Sequence, residues 1–71
     1  MASGESKMTV LNPPEKTRTY TFPNGTVVLT NVIEFEARPS GTHRLKTGDG
    51  KLHIVNTGWL HIELDTTAFT L

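Results

Sequence analysis

The 71-residue sequence predicts an all-β fold, a small five-stranded antiparallel meander. Three observations carry that reading. From Lys16 onward no stretch has helical periodicity, and apolar residues instead recur at period two. Threonine occurs 12 times, and valine and isoleucine are frequent, a composition suited to a pleated, half-buried surface. Turn signals punctuate the alternation at Pro23-Asn24-Gly25, Pro39-Ser40-Gly41, Gly48-Asp49-Gly50 and Asn56-Thr57-Gly58.

Residues 1–15 read as a flexible N-terminal arm with one candidate short strand at 8–11, ended by Asn12-Pro13-Pro14. Residues 16–71 read as a single β domain with strands near 17–22, 26–36, 42–47, 51–56 and 59–65. A two-residue Asn24-Gly25 turn sets Phe22 opposite Val27 and Tyr20 opposite Leu29. A similar turn at Asp49-Gly50 sets Leu45 opposite Ile54, Thr47 opposite Leu52 and Lys46 opposite His53. Around Pro39, pairing Ile33 with Leu45 brings Glu34 opposite Arg44 and Phe35 opposite His43. A three-residue loop ending at Gly58 keeps apolar residues on one face: Ile54 meets Leu60, Leu52 meets Ile62, and His53 meets His61.

This register collects Tyr20, Phe22, Val27, Leu29, Ile33, Phe35, Leu45, Leu52, Ile54, Leu60, Ile62 and Leu64 on one core face. Asn31 interrupts a long second strand, so a bulge is expected there to let the sheet curl. A curled five-stranded meander closes into an SH3-like barrel or a half-barrel, and an open sheet covered by a partner is the alternative. The alternating tail at 66–71 offers an extra strand, in cis or on a neighbouring chain.

The totals narrow the function classes. Seven basic residues balance seven acidic ones, so no global field draws the chain to nucleic acid or an anionic membrane. The chain has no cysteine, hence no disulfide and no thiolate zinc site. No apolar run approaches the roughly 18 residues of a membrane span. The expectation is a soluble, cytoplasmic protein that uses no cofactor. A chain this short buries only about 60% of its unfolded surface, which favours self-association as a source of stability.

The opposite face holds the candidate binding residues: Trp59, Arg44, Val55, Val32, Lys46, His53 and His61. Tryptophan and arginine are enriched in interface hot spots, and a second apolar strip on a face that should be wet asks for a partner. His53, His61 and the nearby Glu63 form a weak metal candidate, since opposed histidines have Cβ atoms about 4.5–5.5 Å apart. Zinc needs three or four protein ligands, and Lys46 beside His53 repels a cation, so a solvated pair is the simpler reading. His43 reads as a rim histidine, and Glu34/Glu36 as edge protection. Asn24-Gly25-Thr26 fits a glycosylation sequon, but the turn explains those residues. No catalytic residue is assigned.

These features favour a non-enzymatic binding or regulatory module. It is expected to be a homo-oligomer or to bind a protein partner, through the Trp/Arg/Val face or a free strand edge. A nucleic-acid-binding barrel using Arg44, Lys46, Lys51 and Trp59 is the alternative. An oligomeric enzyme with a shared histidine site is the third reading.

Overall fold

The computed structural model describes residues 8–66. Residues 1–7 of the expected arm at 1–15 and residues 67–71 of the expected extra strand at 66–71 lie outside the described residues, while Thr9 to Glu15, also expected in the arm, belong to the first strand. Five antiparallel strands form one sheet: β1 (Thr9–Phe22), β2 (Gly25–Ala37), β3 (His43–Thr47), β4 (Leu52–Val55) and β5 (His61–Asp65). Their order is β4-β3-β2-β1-β5. No helix among the described residues is long and apolar enough to cross a membrane.

The first four strands follow the expected meander, but the last does not. β5 leaves β4 and pairs with β1, setting Ile62 opposite Tyr20 and Leu64 opposite Arg18. The expected hairpin of residues 51–56 with 59–65 is therefore corrected. β4 and β5 end up as the two outer strands with no ladder between them, so the sheet stays open and the SH3-like closure is not formed. Gly58 does adopt a positive φ of 112°, as the hairpin reading required, but it serves the crossing to β1 instead. Leu60 N–H donates to Thr21 C=O at 2.7 Å, which anchors the end of that crossing.

Each turn has a local cause. Pro23 and Asn24 form the β1–β2 corner, so Phe22 faces Gly25 and Tyr20 faces Val27. Proline's fixed φ suits the first corner position, with glycine in the fourth. This shifts the register by two residues from the Asn24-Gly25 expectation and leaves the faces unchanged. The β2–β3 loop Pro39-Ser40-Gly41 is closed by Arg38 N–H to Thr42 C=O at 2.9 Å, with Gly41 at φ 93°. Again the shift is two residues: Phe35 faces Leu45, Glu34 faces Lys46 and Glu36 faces Arg44. The opposite charges still meet across the strands, with exchanged partners.

The β3–β4 turn is the consequential one. Thr47 N–H donates to Lys51 C=O at 3.0 Å and Gly50 N–H to Thr47 C=O at 2.9 Å, enclosing the three-residue loop Gly48-Asp49-Gly50. The Asp49 carboxylate accepts from the Thr47 hydroxyl and the Lys51 amide, and Gly50 takes φ 88°. The loop is one residue longer than the expected type I′ turn, and in a period-two structure one residue turns a strand over. Leu45 faces His53 and Arg44 faces Ile54. His53 and Val55 consequently point into the core side, while Leu52 and Ile54 point out, 48% and 60% exposed.

The core is thin. Its buried apolar residues are Tyr20, Leu29, Val32, Leu45 and Val55, flanked by Leu11, Phe22, Phe35, Trp59 and Ile62. Against the expected core face, Leu52, Ile54, Leu60 and Val27 are exposed, and Val32 and Val55 replace them inside. Val32 turns inward because Asn31 sits at φ 54° and the β2–β3 register slips between Val32 and Glu34. The irregularity expected at Asn31 is thus present as a positive φ there and a bulge just beyond it, between Val32 and Glu34. Gly48 N–H donates to Asn31 C=O at 2.9 Å, and a Cβ on Gly48 would collide with the side-chain amide nitrogen of Asn31.

The N-terminal part of β1 is longer than the expected strand at 17–22. It runs through Asn12-Pro13-Pro14, with a cis bond between Asn12 and Pro13. Proline has no N–H for a ladder, and these residues fall where the β1–β2 pairing lapses between Val10 and Glu15.

Candidate functional site

Trp59 lies in the crossing from β4 to β5 and packs inward. Its ring centroid is 5.2 Å from that of Tyr20 and 4.5 Å from that of His43. Val32 and Val55 are buried beside it in the core cluster. Arg44 and Lys46 point to the other face, opposite Glu36 and Glu34. The expected Trp/Arg/Val surface is therefore divided between two sides of the sheet. Arg44 and Lys46 do not share a face with the tryptophan either.

The histidines are separated as well. His53 faces inward on β4, with Nε2 3.2 Å from the Thr47 hydroxyl, while His61 is exposed on β5 opposite Thr21. They occupy the two outer strands, on different faces, so the sequence-based His53/His61/Glu63 cluster is not assembled. Among the described residues no group of three or more His, Asp or Glu could hold a metal ion.

What the structure does assemble is a buried polar chain. Glu15 and Arg18 are each 6% exposed. Arg18 donates from Nε to Glu15 Oε1 at 2.8 Å and from Nη2 to Oε2 at 2.7 Å, a bidentate fork. Arg18 Nη1 also donates to the Tyr20 hydroxyl oxygen at 3.2 Å, and that oxygen lies 2.7 Å from His43 Nδ1. The tautomer of the His43 ring sets which of the two donates in the Tyr20–His43 hydrogen bond. The guanidinium carbon stands 4.3 Å from the Phe35 ring centroid. Phe35 and His43 meet edge to face at 4.8 Å.

The titration behaviour follows from this packing. Burial, and then the Arg18 charge, holds His43 below the ordinary histidine value. Burial pushes the Tyr20 phenol up, although Arg18 works against it. Burial opposes the Arg18 charge, but hydrogen bonds to Glu15 and Tyr20 together with their charges outweigh it, so its pKa is raised. These shifts favour a neutral His43, a protonated Tyr20 and a charged Arg18. Tyr20 is fully buried, so the chain is better suited to holding β1 against β3 than to meeting a substrate.

Sequence reading missed Glu15 and Arg18, which flank the alternating stretch and look like solvated charges. The available signal was the Glu-x-x-Arg spacing beside two prolines, which is far too common to single out.

No family model matches the chain. No curated protein and no solved structure matches it either.

Two concave regions stand out among the described residues. One, of about 360 Å³, is walled by Val10, Leu11, Pro13, Phe35 and Leu64, with the Glu15–Arg18 pair in its lining. The other, of about 550 Å³, lies between β4 and the β1–β2 hairpin, lined by Phe22, Val27, Leu29, Leu52, Ile54 and Val55 with His53 and Asn56. The second adjoins a strand edge that has no partner among the described residues. The direction of that edge's backbone follows from the turn. Thr47 and Lys51 form a hydrogen-bonded pair, and such pairs alternate along an antiparallel ladder. His53 and Val55 thus bond to β3, leaving the N–H and C=O groups of Leu52 and Ile54 turned outward.

Proposed function

We propose that this protein is a non-enzymatic binding module that accepts an extended strand along the outer edge of β4. The carrying observation is that edge itself. Outward backbone groups of Leu52 and Ile54 come with exposed apolar side chains and an apolar groove alongside. Strand addition uses these parts: main-chain hydrogen bonds supply affinity, and flanking pockets select alternate side chains. Unprotected edges are normally blunted by charge or proline. Leu52-His53-Ile54-Val55 contains neither a carboxylate, a lysine nor a proline. By contrast, β5 carries Glu63 and Asp65.

The test is a selection of extended peptides from a displayed library on the wild-type protein, repeated on Leu52→Pro. That substitution deletes an outward N–H and spares the β3 ladder. Binders lost on Leu52→Pro support the reading. Binders indifferent to it overturn the edge as the site, and a wild type that is monomeric and selects none overturns the binding module.

A further inference from the structure

Resting on that reading, we infer that the strand accepted by β4 is β4 of a second copy, paired antiparallel about a two-fold axis through His53. The edge is complementary to itself. If His53 faces His53 of the partner subunit, Leu52 stands opposite the partner's Ile54, and Ile54 opposite the partner's Leu52. Both residues direct their backbone groups outward, so the two Leu–Ile pairs are hydrogen-bonded pairs and close four N–H···O=C bonds. His53, which bonds to β3 on its other side, falls at the intervening pair without hydrogen bonds, where Cα atoms are about 4.5 Å apart. The exposed Leu52 and Ile54 of both copies then form one apolar row on the outer face.

Alternative pairings are poorer. Centring on Ile54 leaves Leu52 opposite Asn56 and His53 opposite Val55. Pairing β4 with β5 of another copy would set Leu52 and Ile54 against the His61, Glu63 and Asp65 row, burying charge against apolar surface, and would propagate instead of closing. The two-fold pairing keeps carboxylates off the seam and leaves one lysine, Lys51, at each of its ends, while Arg44 and Lys46 lie one strand further in, opposite Glu36 and Glu34.

The chain has no native cysteine, so single cysteines report the register directly. Two strands of four residues bury less than the roughly 1,200 Å² of a stable interface, so the dimer is concentration-dependent. Sedimentation equilibrium should show monomer passing to dimer as concentration rises. Ile54→Lys, at a position 60% exposed and so tolerated in the monomer, should raise the dissociation constant tenfold or more with an unchanged circular dichroism spectrum. In a glutathione redox buffer, His53→Cys should give a disulfide dimer well ahead of Leu52→Cys and Ile54→Cys. Faster cross-linking of Ile54→Cys overturns the His53-centred register. A wild type that is monomeric at every concentration overturns self-pairing, and the peptide selection on Leu52→Pro then decides separately whether the edge binds strands. Leu52 and Ile54 amides protected from exchange in the dilute monomer would mean that the chain's own ends cover the edge, which also overturns the inference.

Discussion

The Tyr20 hydroxyl lies 2.7 Å from His43 Nδ1 while Arg18 Nη1 donates to the same oxygen from the other side. One fully buried oxygen thereby joins β1 to β3 across β2 and ties both to the Glu15–Arg18 pair. In a domain with so few buried apolar side chains, this link carries an unusual share of the specification of the fold.

Tyr20→Phe removes the oxygen and nothing else. Arg18 Nη1 and His43 Nδ1 each lose a buried partner, so the expected loss is about 1–3 kcal/mol. Urea denaturation followed by circular dichroism would measure it. An unchanged midpoint would show that water replaces the hydroxyl without penalty.

The Glu15–Arg18 pair should behave asymmetrically. Glu15→Leu alone strands a buried guanidinium and is expected to lower stability by about 3–5 kcal/mol, whereas Glu15→Leu with Arg18→Met should recover most of it. The same denaturation experiment on both variants checks this. If the double variant is no better than the single one, the pair is more solvated than its burial indicates.

His43 gives stability a pH dependence of known sign. Its folded-state value lies below the ordinary 6.5. Between the two values the unfolded chain binds more protons than the folded one, so stability rises with pH there. The contribution is fully present above about pH 6.5 and is lost as pH falls through the folded-state value. Denaturation midpoints at several pH values, for wild type and His43→Asn, should show the acid-side slope reduced in the variant.

Gly48 and Asn31 should be coupled. Gly48→Ala drives a methyl group into the Asn31 side chain, and a loss of about 1–2 kcal/mol is expected for such overpacking. Asn31→Gly accepts φ 54° without a side chain and removes the clash, so the double variant should be more stable than Gly48→Ala alone. Additive losses in the four-variant thermodynamic cycle would show that the two positions do not interact.

Trp59 packs on Tyr20 and His43, so Trp59→Ala should unfold the monomer or lower its stability by about 3 kcal/mol. Thermal unfolding of a dilute sample checks this. Full retention of the wild-type transition would place the ring outside the core.

The alternating pattern was sufficient for five strands, for the face assigned to Tyr20, Phe35 and Leu45, and for an irregularity near Asn31, but not for the extension of β1 back to Thr9. Register errors at the first two hairpins were harmless because each was two residues, and period-two patterning cannot see such a shift. The third error was a single residue. Asp49 holds a three-residue loop through the Thr47 hydroxyl and the Lys51 amide, and that small preference turned Leu52 and Ile54 from core into exposed edge.

Sequence by itself therefore determined that this chain is all-β, where it turns, and that five antiparallel strands result. Only the tertiary structure decided that β5 joins β1, that Trp59 is internal, and that Glu15, Arg18, Tyr20 and His43 form one buried chain. The reason is range. Turns and alternation are fixed by neighbours a few residues apart. The partner of β5 was a choice between two strands with similar apolar spacing, more than 30 residues apart along the chain. In the fold Trp59 of the crossing packs on Tyr20 and His43, β5 joins β1, and β4 is left as an open edge.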